Sequence, residues 1–451
     1  MGSGSSSPVK SDYSPPISFH SQGPTEYIGG VPGYTVLDNV WYNNKKFYFI
    51  GDDHGHIPNN ERLFTASTGW GDGTKDVVTF ESKKDGPDVE GGGGITEING
   101  TTIFLNDGWP GSWSGYFMYY HFASEIILGS YSVLSSIHKP LPSDLKKPWN
   151  IYKGLGRRLA LQESNQLPLV SSANKVDVGL ANRILFAWEW NWDGKDGLSR
   201  AVSEGLVGKD GIIDPAGWRE MTNTNRWIYF ERLLLTDRET AHRNNPLSQV
   251  WYKMALDAYK LAPSPNSLAS VREKFLNYYD IPIQTRHRAG KSIGNKVKVV
   301  YADRQGSDRK FPDKTHQELL KHLKRIEEQG KAVIIDAKLE NIDLRGQFEL
   351  FSDADIMFGV HGNGLTHEMW MPTGGIVIEC FPKTTFAYDY APISAVLGHQ
   401  HLIWREDGEF PPEDWKPQNG GNGNALHDGT RFPLNVEVFS EWLESKIDGM
   451  L

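Results

Sequence analysis

From about residue 293 to 410 the chain alternates short apolar runs with amphipathic stretches. Val297-Lys-Val-Val-Tyr301, Ala332-Val-Ile-Ile335, Asp355 to Val360, Ile376 to Phe381 and His401-Leu-Ile-Trp404 each suit one buried strand. Segments of helical length separate them. In the first, from Asp313 onward, Leu319, Leu320, Leu323 and Ile326 fall on one face, and Gly330 supplies a left-handed stop. Alternation of this kind predicts a parallel sheet with helices on both faces, hence a Rossmann-like domain at about 293–410.

The first half is patterned less regularly. Residues 1–25 are rich in Ser, Pro and Gly and are expected to be disordered or a linker. Tyr34 to Ile50 reads as two strands around an Asn43-Asn44 turn, glycines 91 to 94 mark a flexible loop, and Gly100 to Leu105 is a further strand. Tyr116 to Ser136 predicts a long apolar helix, Arg183 to Trp190 and Trp227 to Leu235 predict strands, and helices are expected over 246–262 and 266–279. These elements define a domain at 26–292. Beyond 410, a loop with Gly420, Gly421 and Gly423 precedes a terminal helix, Val436 to Ile447. Residues 411–451 are expected to pack back on the N-terminal domain.

Composition narrows the class. A chain of 451 residues, 38% hydrophobic and 12% aromatic, can bury a large core and is expected to split into two domains. A net charge of -9 argues against a sequence-independent nucleic-acid binder, which needs clustered positive charge to displace counterions. No run of eighteen apolar residues predicts a membrane span, and the Gly/Ser-rich start lacks the apolar core of a signal peptide. Cys380, the single cysteine, excludes an intrachain disulfide, and its apolar strand suggests an inert buried thiol. The sequon Asn99-Gly-Thr101 permits a secretory origin.

The stretch Asp355 to Trp370 carries the clearest chemistry. A strand (Ile356, Met357, Phe358, Val360) runs into a loop with Gly362 and Gly364, then into a helix expected to open at Leu365. Unpaired helical N–H groups and a positive dipole end would then meet at one spot, where the phosphates of a nucleotide or sugar nucleotide can sit. The plain alternative is that glycine merely relieves a tight turn. In the next strand, Glu379 near the carboxyl end is placed to accept hydrogen bonds from ribose hydroxyls.

Phe358-Gly-Val-His-Gly-Asn-Gly-Leu-Thr-His367, Met371-Pro372 and Ile376-Val-Ile-Glu379 resemble the signature of glycosyltransferase family 61, especially its fungal branch. Tyr119-Tyr-His-Phe-Ala-Ser-Glu-Ile-Ile-Leu-Gly129, Val31 to Val40 and Thr236-Asp-Arg238 are similar to that branch's N-terminal half, so the likeness spans about 28–410. It implies an α/β GT-B fold of two Rossmann-like domains facing a cleft, with the sugar nucleotide held mainly by the C-terminal domain and the acceptor by the N-terminal one. It also implies inverting transfer of xylose or N-acetylglucosamine from a UDP-sugar donor to a glycan or glycoprotein, in the Golgi or secretory pathway behind a membrane anchor. On that reading this sequence is a soluble luminal portion. The family often has Ala where this chain has Asn363, and Asn where it has His367.

Inverting transfer needs a base for the acceptor hydroxyl and donors or positive charge for the departing diphosphate. Arg304 and Arg309, in the loop after Tyr301, suit phosphate oxygens, and the resemblance places arginines there; solvated surface arginines are the alternative. His361, Gly362, Asn363, Gly364, Leu365 and Thr366 would complete the cradle with Glu379, although His361 could equally be a structural histidine closing the turn. His367 is expected to line the acceptor cleft. For the base, His121 and Glu125 stand four apart on one helix face, so the carboxylate could raise the imidazole's basicity. Asp107, in the loop before that helix, is the other candidate, and a core role is the alternative for His121.

No metal is expected to be required. Asp353-Ala-Asp355 imitates a metal signature but should not converge, and Asp52 to His56 and His399-Gln-His401 are equally explained by turn and strand roles. Trp109, Trp113, Tyr116, Trp188, Trp190 and Trp192 could stack on sugar faces. Two other readings are a catalytically inactive carbohydrate-binding protein on the same fold, and a dinucleotide oxidoreductase. The second lacks Gly-x-Gly-x-x-Gly and carries its glycine loop late in the sheet.

Overall fold

The computed structural model describes residues 23–51, 57–58, 63, 79–83, 94–106, 118–138, 180–187, 192–194, 197–286, 290–383, 385–416, 426 and 431–451. Residues 1–22, glycines 91 to 93 and glycines 420 to 423 lie outside them, and so do the expectations placed there.

The first half is built on β1 (Glu26–Val31), β2 (Tyr34–Asn43), β3 (Lys46–Ile50), β4 (Thr79–Lys83), β5 (Ile95–Leu105), β6 (Arg183–Phe186), β7 (Ile212–Ile213) and β8 (Trp227–Thr236). They join in the order β4-β3-β2-β8-β5-β6-β7, with β1 also on β2. The sheet is mixed: β8, β5, β6 and β7 run parallel, whereas β1, β3 and β8 each pair antiparallel with β2. The hairpin between β2 and β3 turns on Asn44 and Lys45, with φ 46° and 63°, the left-handed pair that matches strand twist.

The second half is built on β9 (Val297–Asp303), β10 (Ala332–Lys338), β11 (Ile356–Val360), β12 (Ile376–Phe381), β13 (Gln400–Arg405) and β14 (Gly408–Glu409), in the order β10-β9-β11-β12-β13-β14. The first five are parallel and β14 adds an antiparallel edge. β11 and β12 are buried at every position, which is why they read as continuous apolar runs. The architecture is therefore α/β with one mixed and one mainly parallel sheet.

One apolar core links the halves. Phe122, Tyr131 and Leu134 of the first share a continuous cluster with Phe348, Phe358 and Trp370 of the second. Phe275 stacks on Trp370 with ring centroids 3.5 Å apart. Nearby, buried Arg272 donates to the carbonyls of Trp370 (2.7 Å) and Ser352, tying together the ends of two helices.

Two expected helices are interrupted. The span 246–262 breaks into Pro246–Trp251 and Leu256–Tyr259, because Tyr252 is left-handed (φ 55°). The helix through 119–138 carries a π-helical stretch, His121–Leu128, before regular winding from Gly129. Two hydroxyls serve its carbonyls: Tyr34 Oη donates to Glu125 O at 2.8 Å and Tyr259 Oη to Ser124 O at 3.0 Å. A Cβ on Gly129 would lie 2.8 Å from the Tyr34 ring, so only glycine lets that ring approach.

The terminal helix, Val436–Met450, corrects an expectation. Among the described residues its apolar face packs on the second-half sheet and not on the first-half sheet of the N-terminal domain, with only its last turn touching Lys291 and Ser292. Phe439 meets Phe358 of β11 and Trp404 of β13, and the polar flank pairs Lys331 with Asp448 at 2.6 Å and Arg325 with Glu444 at 3.3 Å. Its apolar stripe covers one face of the parallel sheet at β11 and β13. No described helix is long and apolar enough to cross a membrane.

Candidate functional site

β9 has β10 on one side and β11 on the other, so the chain leaves it in opposite directions. Such a switch point opens a crevice beyond the carboxyl ends of the strands, where open α/β sheets bind ligands. Two loops meet there: the one after β9, with Arg304 and Arg309, and the one after β11, with His361 to Gly364. Arg304 Nη1 and Arg309 Nη1 both donate to the His361 carbonyl, at 3.3 and 3.4 Å. Neither guanidinium forms an ion pair among the described residues. Burial, reinforced by Arg309, pulls the Arg304 pKa below its usual value, a repulsion that an anion between the two would relieve.

Gly362 makes this convergence possible. It has φ 148°, and a Cβ there would fall 1.5 Å from Arg304 Nη1. The following helix spans Asn363–Trp370 and is of the tight 3-10 form, opening two residues before the expected start at Leu365. The Leu365 amide already donates to Gly362 O at 2.9 Å, and the Leu365 and Thr366 side chains are buried. Asn363 is half-buried, and a Cβ on Gly364 would press on Leu339. Among 363–366, then, Leu365 and Thr366 serve the turn and its packing.

Glu379 is placed differently from expectation. It is fully buried, and both carboxyl oxygens are engaged: Oε1 with His361 Nδ1 at 2.5 Å and Oε2 with His401 Nε2 at 3.0 Å. A ribose hydroxyl would have to enter this closed contact, so the carboxyl holds histidines instead. Burial, with Asp389 and Glu368 adding to it, pushes the Glu379 pKa well up. Burial likewise drives His361 down to about 3. Asp389 opposes this, while Arg309, Lys253 and Arg304 add to it, so the imidazole is neutral.

His361 Nε2 lies 3.6 Å from Asp389 Oδ2, and Asp389 is ion-paired with Lys253 of the first half. Burial works against the Asp389 charge, but Lys253 and His361 hold its pKa at about 2. The pair ties the halves together directly beside His361. Neither partner was singled out in the sequence: Lys253 follows the left-handed Tyr252 and Asp389 precedes the helix Tyr390–Leu397, with no spacing to connect them.

His121 and Glu125 open onto the same region. His121 Nδ1 and Glu125 Oε2 are 2.8 Å apart, and Arg238 Nη1 donates to the same oxygen at 2.9 Å. Burial opposes ionisation of Glu125, yet His121 and Arg238 bring it down to about 2. The His121 side chain keeps 24% exposure. Its neighbour Tyr120 reaches the Asp389 carbonyl at 3.4 Å and packs on Tyr390, whose ring also meets His361. Arg238, read above only as part of a motif, anchors this group. Asp107 lies outside the described residues.

His367 is closed off: its ring stacks on Phe351, Nε2 meets Gln347 Oε1 at 3.1 Å and Nδ1 faces Tyr119 Oη at 3.5 Å. It is a structural histidine between the halves, not a wall of an open cleft. Asp353 pairs with Lys298, while buried Asp355 takes Arg286, Ser292 and the Lys298 amide, so the two do not converge. No cluster able to hold a metal occurs among the described residues. Trp192 packs on Phe186; Asp52 to His56, Trp109, Trp113, Tyr116, Trp188 and Trp190 lie outside the described residues.

A family model described as Glycosyltransferase 61 matches residues 119–378, more than half of the chain; the match takes in His121, Glu125, Arg238, Arg304, Arg309 and His361 and stops one residue short of Glu379. Among curated proteins, the EGF domain-specific O-linked N-acetylglucosamine transferase of Bos taurus is 26% identical over 121 residues, 27% of this chain and 22% of the relative. That of Mus musculus is 26% identical over 147 residues (32% and 26%). That of Drosophila melanogaster is 22% identical over 156 residues (35% and 28%). The matched part thus spans about a quarter of the length of these relatives.

Proposed function

Because the chain belongs to glycosyltransferase family 61, we propose that it moves a sugar from a UDP donor to a hydroxyl of a glycan or glycoprotein, with inversion. The observation that carries this reading is the convergence of Arg304 and Arg309, unpaired with any described carboxylate, at the switch-point crevice beside His361. A diphosphate set there receives two guanidinium forks and the imidazole as donors, which stabilise negative charge as the glycosidic bond breaks. A metal is not needed for that step, and transfer that stopped in chelator would remove this part of the reading.

On this reading the two halves act as the two domains of a GT-B enzyme. The second holds the nucleotide, and the first brings the acceptor to His121, whose Nδ1 is committed to Glu125, so proton uptake falls to Nε2. The relatives' names speak for N-acetylglucosamine as the sugar, with xylose as the other donor that the family resemblance implies. A secretory-pathway location, with membrane attachment through a separate anchor, belongs to the same proposal.

The test is a panel of UDP-sugars scored for UDP release and for product on glycan and glycopeptide acceptors. One donor should be turned over, and Arg304→Ala and Arg309→Ala should each lose UDP affinity. Absence of UDP binding by the intact protein would end the reading.

A further inference from the structure

Behind His361 runs a row of buried polar side chains that the activity above does not by itself require. Glu368 Oε2 contacts Ser394 Oγ, Ser394 Oγ lies 3.1 Å from His401 Nδ1, His401 Nε2 3.0 Å from Glu379 Oε2, and Glu379 Oε1 2.5 Å from His361 Nδ1. All five residues are buried; the 363–370 helix, the 390–397 helix, β13 and β12 contribute one each, and His361 follows the end of β11.

Resting on the glycosyltransferase reading, we propose that Glu368, Ser394, His401 and Glu379 form a one-way hydrogen-bond chain that fixes His361 in its Nε2–H form. His361 is then a donor to the leaving diphosphate, not a base. The four are positioning residues. Counting protons along the chain gives this direction. With an ionised Glu368, Ser394 Oγ would donate to Glu368 Oε2; but Oε1 is buried and has no partner among the described residues, which makes an anion there costly, so we take the carboxyl as neutral, with its proton on Oε2 and the bond turned round to donate to Ser394 Oγ. Ser394 then gives its own hydrogen to His401 Nδ1, leaving the His401 proton on Nε2 for one oxygen of Glu379. The other oxygen of a neutral Glu379 donates to His361 Nδ1, which leaves the His361 proton on Nε2.

The reverse arrangement is electrostatically poor. An ionised Glu379 would take a proton from His361 Nδ1–H, and the bare Nε2 would face the Asp389 carboxylate, acceptor to acceptor. With Nε2–H, the imidazole points its donor at Asp389 or at a phosphate oxygen. The charged and titratable groups around the ring are Glu379, Asp389, Lys253, Arg304, Arg309 and Tyr390. Burial raises both Glu368 and Glu379 well above the usual carboxyl range, in keeping with two neutral acids.

Two measurements test the chain. In protein labelled with 15N-histidine, long-range proton–nitrogen correlation spectra should show His361 neutral with its proton on Nε2 from about pH 5 to 8; a proton on Nδ1, or titration in that window, overturns the proposal. This readout needs no donor, so it stands apart from failure of the glycosyltransferase reading, which would appear as lack of UDP binding. Second, Glu379→Ala should weaken UDP binding about tenfold or more, and Glu379→Gln should rescue it to within about threefold, because an amide donates N–H to His361 and accepts from His401 as a neutral acid does. Equal loss in the two variants, with melting temperatures showing both folded, overturns it.

Discussion

Gly362 lies directly against the guanidinium of Arg304, so close that a Cβ on it would sit 1.5 Å from Nη1. The backbone of the β11 loop and the arginine of the β9 loop therefore interlock, and neither can be altered alone. Gly362→Ala must push Arg304 off the His361 carbonyl and strain a backbone at φ 148°. UDP affinity should fall roughly ten- to hundredfold, the worth of a charge-assisted hydrogen bond. Calorimetric titration reads this, and an unchanged Kd would show that Arg304 does not touch the diphosphate.

His121→Ala removes the proposed base while Arg238 continues to hold Glu125. Transfer should drop on the order of a hundredfold or more with UDP affinity unchanged. Glu125→Gln has a different expected signature. It takes away one carboxylate that the fully buried Arg238 pairs with, costing on the order of 3 kcal/mol of stability. Thermal melts beside turnover assays separate the two variants.

The depressed acids set the behaviour at low pH. Glu125, ordinarily near 4.5, is held at about 2, so its contribution to stability is complete above pH 4.5 and is lost as pH falls through about 2. Asp389, also held at about 2 from 3.8, is lost over the same range. Each contributes on the order of a few kcal/mol. Melting temperature should therefore fall steeply below about pH 4, and less steeply in Glu125→Gln, which has already lost one of these groups.

Glu368 runs the opposite way. Burial raises its pKa, so the stability linked to its proton is present below about 4.5 and is lost as pH rises. At neutral pH the folded state must retain a proton that the unfolded chain releases. Glu368→Gln keeps the hydrogen-bond donor to Ser394 without that cost. It should melt higher than the parent at neutral pH, with the advantage gone below the ordinary carboxyl range. A lower melting temperature at neutral pH would mean that the carboxyl is not held neutral.

Phe439 joins the terminal helix to Phe358 and Trp404 and is fully buried. Phe439→Ala should cost about 3 to 5 kcal/mol by loss of packing and an unfilled cavity. Denaturant unfolding checks this, and a near-zero effect would place the helix elsewhere in solution.

Much of the second half was legible in the sequence. Its strands β9, β11, β12 and β13 are largely buried, so they stand out as apolar runs, and the amphipathic 313–328 helix carries its own stop signal at Gly330. The contact between His121 and Glu125 was legible too, since four residues along a helix are near neighbours, and it survives the wider π winding. The terminal helix showed that it had an apolar face, yet nothing local said which surface it would cover.

The sequence by itself determined the strands β9 to β13, the order in which they alternate with helical segments, and the glycine loop after β11, because these follow from neighbours a few positions apart. Only the tertiary structure decided that Lys253 would meet Asp389, that Arg238 would reach Glu125, and that Glu379 would turn inward to two histidines instead of outward to a ligand. The physical reason is that a side chain's charge and partners depend on what excludes water from it. Here those groups come from strands and helices far apart along the chain.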